Sequence, residues 1–232
     1  MFRLNFASGR AMRQLFHFCI FLLISVAPLR AASTYEAPQG CKPIATLRME
    51  NCLVRQVARC EAGNIVDSFH EGTFVGRSYY THPSLFLRFE GVDGRISGHE
   101  YGAGTPRPDA RLSPGDIYTY SRDVYRSAGE PEHGDVGTEE MEIREPVTLT
   151  IGGKRYRLLD IRFEVTNDEG YHYRERAFLL QDPGLTIGVV SATYGEDGEI
   201  AEQYSSIPES LSLSGDPGFR SFDPAASCLP ST

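Results

Sequence analysis

The stretch from Pro146 to Leu213 constrains the fold of this chain most, because short extended segments alternate there with turn sequences. Five segments are expected to form strands, namely Val147–Ile151, Tyr156–Val165, Tyr171–Gln181, Leu185–Tyr194 and Ile200–Ser205. The turns between them all contain glycine: Gly152-Gly153, Asp168-Glu169-Gly170, Asp182-Pro183-Gly184 and Glu196-Asp197-Gly198. Short strands separated by such turns are typical of an antiparallel meander.

The side-chain pattern indicates how two of these strands pair. In Tyr156–Val165 the apolar residues recur at every second position towards its end, as in a half-buried strand. A three-residue loop, Asp168-Glu169-Gly170, places Phe163 opposite Glu175, whereas a two-residue loop would put arginines on the apolar face. We predict the three-residue loop, since a slip of one residue would move the whole apolar set to solvent.

Glu175 is the most interesting candidate for chemistry. On the predicted register it shares the apolar face with Tyr173 and lies beside Phe163, and a three-residue loop at Asp182-Pro183-Gly184 would place it opposite Ser191. A carboxylate on a core face has a raised pKa and can act as a general acid or base. The alternatives are an arginine-paired acid at the sheet rim and a two-residue turn that breaks the Ser191 pairing. The candidate ligand-binding residues are therefore Glu175, Tyr173, Phe163 and Ser191.

Two features of the meander predict irregularity and a second layer. A two-residue turn at Gly152-Gly153 aligns Val147 with Leu158, so that the apolar face changes between Leu158 and Leu159. A β-bulge near that pair would restore the phase. The uncharged segment Leu185–Tyr194 is apolar on both faces and is expected to be covered on each side.

A helix is the predicted source of that cover. Ser113-Pro114-Gly115-Asp116 resembles an N-cap followed by proline at the first helical position, which predicts an α-helix over Pro114–Ser127. Residues 129–140 are acidic and rich in glycine and are expected to form an exposed loop. The fold class predicted is mainly β: a strongly curved antiparallel sheet or open β-barrel with one packed α-helix at about 114–127.

Residues 1–32 have the composition of a secretory signal peptide, and residues 33–232 are expected to form a single β-rich domain. Arg3, Arg10 and Arg13 precede a short apolar run, and small residues follow at Ala31-Ala32-Ser33. The apolar run is too short to span a bilayer comfortably, and no later segment resembles a membrane span. An uncleaved anchor is the alternative, and Met12 would serve equally well as the start. We predict a periplasmic or secreted protein.

The charge balance argues against nucleic acid and anionic lipid as partners. The chain has 23 Lys and Arg against 31 Asp and Glu, and residues 1–32 hold four of the cations and none of the acids, which leaves −12 for the remainder. Nucleic acids and anionic membranes bind clustered positive charge. Twelve tyrosines and no tryptophan suit a concave face for an amphipathic ligand, although ordinary sheet packing explains them as well.

Four cysteines outside the signal segment predict two disulfides: Cys41, Cys52, Cys60 and Cys228. Their spacing fits no zinc finger. Cys52 and Cys60 lie on one expected strand about 26 Å apart, beyond the reach of a bridge of about 7 Å. Cys41–Cys52 with Cys60–Cys228, and Cys41–Cys60 with Cys52–Cys228, both remain possible.

No sequence motif indicates a metal, a cofactor or a nucleophile. The histidines outside the signal segment, His70, His82, His99, His133 and His172, form no i, i+4 pair. The chain contains no G-x-S-x-G serine-hydrolase motif, and its glycine loops lack the context of a phosphate site. We therefore predict neither a metal site nor a cofactor.

The opening strand with Cys52 and Arg59-Cys60, and the closing Ser214-Gly215-Asp216-Pro217-Gly218-Phe219 before the last cysteine, resemble an uncharacterised family of secreted proteins of Gram-negative bacteria. The resemblance covers most of the chain after residue 32. It implies a periplasmic, β-rich domain and no particular activity.

Three functional hypotheses follow. The first is a non-enzymatic protein that binds a small amphipathic ligand, or an envelope protein, through the curved sheet; it requires a tyrosine-lined cavity. The second is a hydrolase that uses Glu175 with His172 or Asp160, although the predicted register sends Glu175 and His172 to opposite faces. The third is a structural or assembly factor with a filled core.

Overall fold

The computed structural model describes residues 34–107, 109–127, 131–167, 172–194 and 198–228, and these residues form one antiparallel sheet. Its thirteen strands are β1 (Lys42–Arg48), β2 (Leu53–Cys60), β3 (Gly63–His70), β4 (Thr73–His82), β5 (Leu85–Gly91), β6 (Ile96–Tyr101), β7 (Ile117–Ser127), β8 (Pro131–Ile151), β9 (Lys154–Asn167), β10 (His172–Leu180), β11 (Leu185–Tyr194), β12 (Ile200–Ser206) and β13 (Ser210–Leu213). A short 3-10 helix, Ala226–Cys228, follows. The prediction of a mainly β fold is confirmed.

The order of the strands requires the sheet to curve strongly. Strands β1 to β12 follow one another as a meander, and β13 pairs with β1, so that β12 and β13 are the two edges of an unclosed sheet. Laid flat, these edges would lie almost 60 Å apart at about 4.8 Å per strand. The chain from Ser206 to Ser210 spans at most about 14 Å. The two edges therefore approach each other, which brings distant strands face to face.

The register predicted for β9 and β10 is confirmed. Phe163 pairs with Glu175 and Ile161 pairs with Ala177. The loop residues 168–170 lie outside the described part of the chain. Because the apolar set of β9 must stay on one face, the hydrophobic pattern alone determined this pairing.

Two of the register shifts in the meander bear on the predicted strand pairing. On β8, Glu145 and Pro146 together face Leu159, so the predicted bulge is confirmed, and it lies on the strand that pairs with Leu159. The β10–β11 connection is one residue longer than predicted, because Leu180 pairs with Leu185. A register shift after Phe178 compensates for the extra residue, and Glu175 still faces Ser191.

The predicted α-helix at 114–127 is wrong. Ser113 and Asp116 close a tight turn, in which the amide of Asp116 donates to the Ser113 carbonyl at 3.0 Å, and Gly115 has a φ of 92°, outside the helical region. Ile117-Tyr118-Thr119-Tyr120 then consists of β-branched and aromatic residues, which favour a strand. Pairing with β6 on one side and β8 on the other completes β7.

The acidic segment predicted as a loop, residues 129–140, is also different in the structure. From Pro131 onward it forms the first half of β8 and pairs with β7 along its length. At its end and just beyond it, the charged residues Glu140 and Glu142 alternate with Met141 and Ile143, which are buried. The period of two was therefore present, but the acidic composition concealed it.

The core lies on both faces of the curved sheet. In the part of the chain that the structure describes, no α-helix packs against the sheet as a second layer. One cluster includes Met141, Ile161 and Phe163, and a second joins Leu47 and Val57 of the first strands to distant strands. Both faces of β11 were expected to be buried, but only the first half of the strand is mostly buried. Its residues from Val189 onward are partly exposed.

Both disulfides are present, with one of the two predicted connectivities. Cys41 is bonded to Cys60 with Cα atoms 4.3 Å apart, and Cys52 is bonded to Cys228 with Cα atoms 5.5 Å apart. The proposed signal segment, residues 1–32, lies outside the described residues. Within the described ranges, the structure contains no helix with the length and apolarity that a membrane crossing requires.

The two disulfides are expected to contribute unequally to stability. The bridges close loops of 176 and 19 residues, and in the chain-entropy treatment the longer loop is worth about 5 kcal/mol and the shorter about 3 kcal/mol. Urea unfolding of Cys52→Ala/Cys228→Ala and Cys41→Ala/Cys60→Ala tests this. A larger loss of unfolding free energy from Cys41→Ala/Cys60→Ala than from Cys52→Ala/Cys228→Ala would contradict the prediction.

Candidate ligand-binding site

Register and alternation bring the predicted site residues together on one face of the sheet, which we call the Glu175 face. Phe163, Glu175 and Ser191 lie side by side on β9, β10 and β11, and Tyr204 of β12 continues the row. Tyr173 lies two residues from Glu175 on the same face. Phe163 is buried, whereas the edge residue Tyr204 is 53% exposed. The row therefore runs from the core to an open edge.

Glu175 is a carboxylate held in a poorly solvated place. The Tyr173 hydroxyl donates to its Oε2 at 2.6 Å. Burial has the largest effect on the pKa of Glu175 and raises it, and the charge of Glu139 raises it as well. The hydrogen bond from Tyr173 and the charge of Arg122 lower the pKa, but the net direction is upward. Glu175 thus binds a proton more readily than an ordinary glutamate.

Glu139 is a second carboxylate on the same face, and the sequence reasoning missed it. It is 3% exposed, accepts a hydrogen bond from the Tyr120 hydroxyl at 2.8 Å and lies 3.2 Å from the Arg122 guanidinium. Burial raises the pKa of Glu139, against the lowering effects of Arg122 and Tyr120. The spacing of Glu139 with Met141 and Ile143 was the available signal, but Glu139 itself lay within the segment predicted as a loop.

Strands far apart in the sheet contribute to the same site. Burial raises the pKa of Tyr80, and the charges of Arg55 and Glu175 act on its hydroxyl. Strand β4, which carries Tyr80, is six positions from β10, a distance of about 29 Å in a flat sheet. Only the curvature of the sheet places Tyr80 close to Glu175.

Aromatic rings connect β4 to β7 along this face. Consecutive rings meet edge to face at centroid distances of 5.7, 5.5, 5.8 and 5.5 Å in the pairs Tyr80–Phe86, Phe86–His99, His99–Tyr101 and Tyr101–Tyr120. The Tyr101 hydroxyl donates to the Phe86 carbonyl at 2.7 Å, and His99 Nδ1 lies 3.1 Å from that hydroxyl. Burial and the charge of Arg122 lower the pKa of His99 to about 3, so this ring is neutral at physiological pH.

Several of these groups lie deep in the protein and still keep contact with solvent. Burial dominates the pKa values of Tyr80, His99, Tyr101 and Glu175, yet all four side chains remain partly exposed. The curvature of the sheet brings Tyr80 of β4 towards Glu175 of β10 on this face, so it is the inner side of the curve. The Glu175 face therefore forms a concave surface with carboxylate, hydroxyl and aromatic groups.

The partners proposed for a catalytic Glu175 lie on the other face. His172 Nε2 contacts Glu164 at 2.8 Å, and Asp160 is paired with Arg176 at 2.7 Å. Their places on β9 and β10 alternate with those of Phe163 and Glu175, as the register predicted. The structure therefore does not bring either residue to Glu175.

A buried histidine–serine pair lies elsewhere, beside a cavity of about 430 Å³. His82 Nδ1 lies 2.6 Å from the Ser84 hydroxyl, and its Nε2 lies 3.2 Å from the Ala110 carbonyl, so Nε2 carries the proton and Nδ1 accepts. Both ring nitrogens are satisfied, and Ser84 is 8% exposed. The pair holds the β4–β5 turn against the 109–112 segment and has no accessible nucleophile.

No group of three or more His, Cys, Asp or Glu side chains that could hold a metal ion exists among the described residues. Comparisons of the chain with protein-family models, with curated proteins and with solved structures found no match. A proposal about ligand binding therefore depends on the geometry of the Glu175 face.

Glu175→Gln is expected to raise stability at neutral pH by about 1 kcal/mol, or about 2–4 °C in Tm. Since the folded state holds the Glu175 proton more tightly than the unfolded chain, the carboxylate costs stability as pH rises above its ordinary pKa of 4.5. The advantage of glutamine should disappear below about pH 4. Thermal unfolding from pH 3 to 8 measures it.

Glu164→Gln is the matched control on the opposite face. Burial raises the pKa of Glu164, whereas the hydrogen bond from His172 and the charges of Arg174 and Arg162 lower it. The lowering effects together are larger, so the pKa of Glu164 is below its ordinary value. Its stabilising contribution is present above the ordinary pKa and is lost as pH falls. This variant should lose about 0.2–1 kcal/mol at pH 7. A loss of stability in Glu175→Gln at pH 7 would contradict the assignment of Glu175 as a destabilising acid.

Proposed function

We propose that the protein binds a small amphipathic ligand in the concavity of the Glu175 face and catalyses no reaction. The observation that carries this proposal is the convergence of Glu175, Tyr173, Tyr80 and Tyr101 from strands that only the curvature brings together. Ligand sites combine apolar and aromatic walls with a few polar groups that orient the ligand. Phe163 supplies an apolar floor next to Glu175.

We propose further that binding takes place in the periplasm or after secretion. Two disulfides link the described residues, and disulfides persist in oxidising compartments. The signal-like composition of residues 1–32 and the resemblance to secreted proteins of Gram-negative bacteria support the same location.

Ser191→Phe is expected to fill the concavity beside Glu175 and abolish ligand binding. Binding is measured as the fluorescence increase of the neutral amphiphile N-phenyl-1-naphthylamine on titration with protein. Ala192→Phe is the matched control, because it adds the same ring at the next residue of β11, which pairs with Arg174 on the opposite face. The control should bind the probe like the wild type.

Two results would contradict the proposal. Equal binding by the two phenylalanine variants would place the ligand elsewhere, and no binding by folded wild type would remove the binding function. Native mass spectrometry of protein purified from the periplasm adds an independent measurement. A bound small molecule is expected in wild type and is expected to be lost in Ser191→Phe.

A hydrolase is the second candidate, and one observation favours it. Glu139 and Glu175 are two carboxylates with raised pKa values on one face, and each accepts a hydrogen bond from a tyrosine. Carboxylates in unlike environments can divide the roles of general acid and general base. Turnover of chromogenic esters or glycosides by wild type, lost in both Glu139→Gln and Glu175→Gln, would favour this candidate over binding alone.

A further inference from the structure

We infer that the polar group of the ligand is a cation of the amine or guanidinium class, and that the Glu175 carboxylate is its counter-ion. This inference rests on the proposed binding function and adds the charge class of the ligand. It follows from the charges around Glu175, from its lack of a cationic partner, and from the aromatic rings of the wall.

The fixed charges near Glu175 do not balance. Arg122 is the nearby cation, but it lies 3.2 Å from Glu139, and that buried pair is also bonded to Tyr120. At Glu175 the repulsion from Glu139 exceeds the attraction of Arg122. Two carboxyl groups, Glu139 and Glu175, thus share one nearby guanidinium in a poorly solvated region, where electrostatic interactions are strong.

Glu175 differs from the acids of the opposite face. There, Glu164 contacts Arg162 at 2.7 Å and Asp160 contacts Arg176 at 2.7 Å. Within the described part of the chain, Glu175 has the hydrogen bond from Tyr173 and no ion pair. A poorly solvated carboxylate without a cationic partner is costly. A cationic ligand would supply that partner.

The wall of the concavity suits a cation as well. The ring of Tyr173 already has the Arg122 guanidinium 5.9 Å from its centroid, and Tyr80 and Tyr101 present further partly exposed rings. Cations are attracted to the faces of such rings. Arg55 also reaches this region, but its guanidinium donates to Ser206 at 3.2 Å and acts on Tyr80. An anionic ligand would instead meet the carboxylates of Glu175 and Glu139.

Competition by three ten-carbon amphiphiles tests the inference. Decylamine, decanol and decanoate share one apolar chain and differ in head-group charge. Each is titrated, below its micellar concentration, against the N-phenyl-1-naphthylamine complex at about pH 8, where the amine is protonated. Decylamine should displace the probe from wild type at least ten-fold more tightly than decanol, and decanoate should bind most weakly.

Glu175→Gln should remove the preference for decylamine over decanol, so that the ratio of their two affinities falls to about one. Glu164→Gln removes the same formal charge from the opposite face and should keep the preference, which controls for net charge. An unchanged preference in Glu175→Gln, or tighter binding of decanoate by wild type, would overturn the inference while the binding proposal stands. Failure of all three amphiphiles and the probe to bind folded wild type would overturn both.

Discussion

The short connection between β12 and β13 is the constraint on which the rest of this structure depends. It joins the two edges of a thirteen-stranded sheet, and β13 cannot pair with β1 unless the sheet curves. Right-handed twist gives any long antiparallel sheet some curvature, and bulges increase it locally. The bulges on β8 and β11 lie in strands close to the site. The concave face thus results from the way in which the two edges of the sheet are connected.

Contacts made by the segments before β1 and after β13 support the same geometry. Residues before β1 and after β13 lie against the first three strands, where Tyr35 donates to Asp67 at 2.9 Å and Gln56 donates to the Ser221 carbonyl at 2.8 Å. The Cys52–Cys228 bridge joins the 3-10 helix Ala226–Cys228 to the residue just before β2. These contacts hold the segments that flank β1 and β13 against the first strands of the sheet.

The two faces of β9 and β10 show how the protein distributes its charges. On one face, Glu164 and Asp160 each form an ion pair with an arginine. On the other face, Glu175 accepts a hydrogen bond from Tyr173 and is repelled by the charge of Glu139. Structural ion pairs explain the first arrangement. The second costs stability, and such costs are typical of functional sites, where stability is exchanged for the ability to bind. This contrast is the physical reason for the proposal that Glu175 contacts a ligand.

Local pattern alone determined the antiparallel meander, the pairing of Phe163 with Glu175 and the presence of two disulfides, because these depend on side-chain period and short connections. It failed at residues 114–127, where capping signals resemble a helix start but pairing on both sides makes a strand. Only the tertiary structure decided the connectivity of the disulfides, the burial of Glu139 and the approach of Tyr80 to Glu175. These depend on contacts between strands distant in sequence, which no local pattern encodes.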